Sequence, residues 1–116
     1  MTYLKYYCSP SNRAITMPVT PGHFRLSAEQ RHFKELLDRY PRFITYWNFE
    51  KREVKLEAIK QDIGAMSSGE QIMIRFFVGV WLHDNKLDLD FTDIARNLDK
   101  EDLQVIVDWL QNPVWP

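Results

Sequence analysis

The sequence predicts a mainly α fold, a compact helical domain of four to five helices around a central apolar helix over 71–83, preceded by a short N-terminal β-hairpin. Three observations carry that expectation. Apolar residues recur at helical spacing in several segments, two serines stand three residues before a Gln or Glu as capping boxes require, and one stretch is apolar on nearly every side of a helical wheel. The whole chain reads as one domain, with hairpin and loop over 1–26, a helical body over 27–112 and an apolar tail over 113–116.

From the start, the β-leaning runs Tyr3 to Cys8 and Arg13 to Val19 flank the turn-forming cluster Ser9-Pro10-Ser11-Asn12, which predicts the hairpin. Pro18, Pro21 and Gly22 then interrupt regular structure. Ser27-Ala28-Glu29-Gln30 is a capping box, and Phe33, Leu36, Leu37 and Tyr40 form one stripe that Pro41 ends. Between Arg42 and Phe49, periodicity does not separate a helical turn from an extended stretch, and a short helix is the reading adopted. Glu53 to Met66 reads as an amphipathic helix with Leu56, Ile59, Ile63 and Met66 inward.

Ser67-Ser68-Gly69-Glu70 is the second capping box, and the helix after it, Gln71 to His83, belongs at the centre. Its strong charge, Arg75, is expected to snorkel outward or meet a carboxylate. Leu87 and Leu89 alternate with Asp88 and Asp90 in an extended link, and Asp90 caps a brief helix at Asp93-Ile94-Ala95. A last helix opens at Asp99-Lys100-Glu101-Asp102, with Leu103, Ile106, Val107 and Leu110 as its core stripe, and Asn112-Pro113 ends it. The tail Val114-Trp115-Pro116 is expected to dock on the body.

Composition narrows the function classes. Of 116 residues, 45% are apolar and 27% charged, which excludes a disordered chain, while 14% aromatics is rich and implies a bulky core or an adhesive surface. No run reaches the roughly 20 apolar residues of a membrane span. Met1 to Cys8 holds one Lys and no apolar signal region, and a lone Cys8 suits a reducing compartment, so the expected location is the cytoplasm. Residues 1–60 carry eleven Lys/Arg against six Asp/Glu, and residues 61–116 four against ten, so a +5 half adjoins a −6 half.

Chemical motifs are weak. Ile94-Ala95, Leu98 and Val105 have helix-turn-helix spacing, but the second helix opens with Glu101 and Asp102, which would repel phosphates. Asp84, Asp88, Asp90 and Asp93 fail EF-hand spacing, because Asp93 stands where Gly is needed and Asp99 where Glu is needed. His23, His32 and His83 are scattered, and no GxSxG elbow or glycine-rich phosphate loop occurs. No catalytic residue, metal site or cofactor is therefore expected.

The segments Ser68-Gly69-Glu70-Gln71, Phe76-Phe77-Val78-Gly79-Val80-Trp81, Asp108-Trp109-Leu110 and Pro113-Val114-Trp115-Pro116 are similar in texture to small uncharacterised proteins of bacterial phages and integrative elements. The resemblance leaves residues 1–66 unmatched and carries over no functional residue. It implies an accessory or regulatory protein encoded by a mobile element.

The preferred functional expectation is thus a non-enzymatic protein that binds a protein partner, or a second copy of itself, through Trp47, Trp109, Trp115, Asp88 and Asp90. The first alternative is nucleic-acid binding by the basic, aromatic-rich segment 39–55, with Arg39, Arg42, Lys51 and Arg52 on phosphates and Phe43 and Tyr46 stacking on bases. The second is an enzyme whose site is assembled from residues that no motif reveals.

Overall fold

The computed structural model describes residues 25–116, so the expected hairpin over Tyr3 to Val19 lies outside the described residues. The described chain is mainly helical. In order it runs α1 (Ala28–Leu37), α2 (Pro41–Ile44), β1 (Trp47–Asn48), β2 (Glu53–Val54), α3 (Leu56–Asp62), a 3-10 turn (Ile63–Ala65), α4 (Ser68–Leu82), α5 (Phe91–Asn97) and α6 (Lys100–Gln111).

Both serine boxes form as their residues require. The Ser27 hydroxyl accepts from the Gln30 amide at 3.0 Å and the Gln30 side chain accepts from the Ser27 amide at 3.0 Å. Ser67 and Glu70 repeat the arrangement at the start of α4, where that hydrogen bonding holds the Glu70 carboxyl below the usual carboxylate range. Asp90 and Asp99 cap α5 and α6.

The short helix expected over Arg42 to Phe49 is corrected. One turn, α2, is followed by β1, which pairs antiparallel with β2 in the register Trp47 to Val54 and Asn48 to Glu53. The helix expected from Glu53 consequently starts at Leu56. The turn between the strands is closed by Asn48, whose side-chain oxygen accepts from the Lys51 amide at 3.0 Å, and by Arg52 in the left-handed region at φ 56°. Strands of two residues are too short to show alternation.

Helix α4 is the centre, with eight of its fifteen residues buried. Phe77 is fully buried, and the rings of Phe33, Tyr40, Phe43 and Phe76 lie 5.3–6.4 Å from its own, mostly edge to face. Helix α4 ends in a Schellman-type closure: Asp84 N donates to Gly79 O and His83 N to Val80 O, with His83 left-handed at φ 57°.

The stripe assigned to the last helix is also corrected. Val105 and Ile106 are buried and Trp109 is half-buried, whereas Leu103 and Leu110 are exposed. Helix α6 docks through the series 102, 105, 106 and 109, one position before the Leu-based series. That rotation lets Trp109 meet Phe76 edge to face at 5.6 Å and lets Asp102 accept from the Tyr40 hydroxyl, tying α6 to the α1–α2 junction. Burial and this carboxylate together push the Tyr40 hydroxyl well above the ordinary tyrosine range.

Candidate functional site

The residues expected to form a surface separate into two groups. Trp47 is only 7% exposed and packs against Phe33 and Trp81, so it is a core residue and not the partner anchor expected of it. Phe43 and Tyr46 are likewise buried, and the Tyr46 hydroxyl donates to Asp62, an interaction that raises its pKa. The stacking half of the nucleic-acid surface is therefore corrected: both rings are buried, with Phe43 packed against Phe77 of α4 and the Tyr46 hydroxyl held by Asp62 at the end of α3. Arg39, Arg42, Lys51 and Arg52 remain exposed, and Arg42 pairs with Glu70 at 3.1 Å.

Trp109 and Trp115 are brought together. Their ring centroids lie 5.1 Å apart at 81°, and His83 lies 5.1 Å from Trp115 at 69°. With the Phe76–Trp109 pair, this makes a continuous chain of edge-to-face contacts from a core phenylalanine to the solvent. The aromatic chain forms one wall of a groove of about 330 Å³. Gly79, Val80 and Leu89 line the rest of its apolar surface, and Arg75, Asp84 and Asn85 supply its polar groups beside His83.

The tail holds Trp115 in a defined place. Trp109 Nε1 donates to Val114 O at 3.0 Å, Trp115 N donates to Glu29 Oε1 on α1, and Pro116 is buried. Tail docking is thus realised, yet Trp115 stays 48% exposed. Arg75 is half-buried, and among the described residues no carboxylate lies within 4.0 Å of it.

A second, shallower cavity of about 350 Å³ adjoins the groove, lined by Asn85, Asp88, Leu89, Asp90 and Phe91. Asp90 is committed to capping: its Oδ1 accepts from the Thr92 hydroxyl at 2.7 Å and the Thr92 amide at 2.8 Å, which lowers its pKa. Asp88 is exposed in the left-handed region at φ 56°. Phe91, 79% exposed, is a site residue that sequence reasoning missed; as the first residue after the Asp90 cap, it has no apolar periodicity to mark it.

Among the described residues, no group of three or more His, Cys, Asp or Glu is placed to hold a metal ion, and no helix is long and apolar enough to cross a membrane. The chain matches no family model, no curated protein and no solved structure.

Proposed function

We propose that this chain is a non-enzymatic accessory or regulatory protein that acts by binding another protein, with an apolar side chain of the partner entering the groove beside Trp115. The observation that carries the reading is the fixed exposure of Trp115. A large indole left half in water by a flexible tail would mean little, but here two hydrogen bonds and a buried proline position its backbone. Preorganised aromatics beside an apolar cavity lose little side-chain entropy on binding and are the residue type that dominates interface energies. The groove lies at the small end of ligand cavities, which suits one large side chain better than a whole cofactor.

An accessory role agrees with the likeness of residues 68–116 to small phage and integrative-element proteins, and the lone Cys8 agrees with a cytoplasmic place of action. The test uses two independent variants. Trp115→Ala removes the wall, and Gly79→Leu fills the groove from α4, where an added Cβ meets Asp84 O at an ordinary 3.5 Å. A protein captured from the native host by the wild-type chain should be lost with both variants while the helical circular-dichroism spectrum is kept. Equal capture by all three would refute the groove as the binding site.

A further inference from the structure

We infer that the partner segment is basic and amphipathic, with apolar side chains in the groove beside Trp115 and against Phe91 and its Lys or Arg side chains meeting Asp84 and Asp88; the inference rests on the groove being the binding site. The two cavities share a wall, Asn85 and Leu89. That wall is fixed, because Leu89 N donates to Asn85 Oδ1 at 2.7 Å and Asn85 Nδ2 donates back to Leu89 O at 3.2 Å. Leu89 and Phe91 carry an apolar edge from the groove beside Trp115 into the second cavity, whose other lining groups, Asn85, Asp88 and Asp90, are polar. One bound segment can therefore place apolar and cationic side chains along it.

Charge selects what that segment carries. Between His83 and Asp93 the chain has four aspartates against one lysine. Asp90 is partly committed to its cap, but Asp88 has no side-chain partner among the described residues, and Asp84 has only the exposed, 3.9 Å contact with Lys86. An exposed pair of that length contributes little and exchanges readily for a partner's cation. Arg75 lines the first groove, so like-charge repulsion keeps a bound cation away from that end and favours the Asp84–Asp88 side. An acidic segment laid across the shared wall would meet repulsion from Asp84 on one side and from Asp88 on the other.

The test titrates the full chain with a synthetic amphipathic peptide of Leu and Lys, and with the same peptide carrying Glu for every Lys, by calorimetry and tryptophan emission. The Leu–Lys peptide should bind one to one, about tenfold or more weaker to Asp88→Lys and to Phe91→Ala, and weaker as salt rises from about 50 to about 500 mM. The Glu peptide should not bind. If both peptides bind equally and only Trp115→Ala abolishes binding, the groove reading stands and the basic partner is overturned. If neither peptide binds while host-protein capture still depends on Trp115, the basic partner is again overturned alone. If the Leu–Lys peptide binds equally to the wild type and to Trp115→Ala, Phe91→Ala and Asp88→Lys, both readings fail. A wild-type mass that doubles in sedimentation and falls to that of one chain with Phe91→Ala, with no response to peptide, assigns the surface to a second copy and overturns the proposal.

Discussion

Two aromatic segments of this chain look alike as sequence and behave oppositely in the fold. Residues 43–49 hold Phe43, Tyr46, Trp47 and Phe49, and residues 109–115 hold Trp109 and Trp115. The first segment is folded back by α2 and the β1–β2 hairpin, so that its rings meet Phe33, Phe77 and Trp81. The second lies along the outside of α4 and is anchored by its backbone, leaving an indole in solvent. Aromatic density therefore does not distinguish core from surface. What distinguishes them is whether the backbone has a turn that brings both faces of the segment against other elements.

The largest expected effect breaks the first side of that comparison. Phe77→Ala and Phe43→Ala each remove a ring that is at most 1% exposed, and each should cost about 3–5 kcal/mol in denaturant unfolding. Trp115→Ala should cost far less, because half of its side chain never left water. Equal costs at positions 43 and 115 would erase the distinction between the segments.

Much of the helical body is legible from sequence, because capping boxes are local chemistry and amphipathic stripes are periodic. Ser27–Gln30 and Ser67–Glu70 start their helices as written, and the apolar run over 72–82 is the centre. The hairpin at 47–54 was hidden because it depends on Asn48 and a left-handed Arg52, neither of which has periodicity. The groove was half visible. Trp109, Trp115, Asp88 and Asp90 fall within or beside it, but Phe91, Arg75 and Gly79 join them only through the α4 closure and the Asn85–Leu89 bracket.

A middle-sized effect tests how the two regions are tied. The Tyr40 hydroxyl donates to Asp102, linking the α1–α2 junction to α6, the helix that presents Trp109. Tyr40→Phe should cost about 1.5–3 kcal/mol near neutral pH, as for a hydrogen bond to a charged acceptor. The folded-state pKa of Tyr40 lies above its ordinary 10.0, so its contribution is complete below pH 10.0 and is lost as pH rises from there toward the folded value. The wild type should therefore lose more stability than Tyr40→Phe does as the pH is raised above about 10. Parallel losses in the two proteins would show that the bond does not tie α6 to the body.

The smallest expected effect is the sharpest test of how α6 is rotated. Two series compete on that helix, the Leu103, Ile106, Val107 and Leu110 stripe and the Asp102, Val105, Ile106 and Trp109 stripe, and they differ by one residue, about 100° of helix rotation. The second wins because an indole buries more area than a leucine side chain, and because Asp102 and Trp109 each gain a partner, in Tyr40 and Phe76. Ile106 belongs to both series and does not discriminate between them. Leu110 does, being 62% exposed. Leu110→Ser should change unfolding stability by less than about 1 kcal/mol, the sum of a small helix-propensity loss and the little apolar area covered. Val105→Ala, at a site 2% exposed, should cost more than Leu110→Ser although it removes fewer atoms. A Leu110→Ser cost of about 2 kcal/mol or more, in the range of a buried leucine, would mean that α6 docks through its leucines. Trp109 would then turn away from Phe76, and the aromatic wall beside Trp115 would not form.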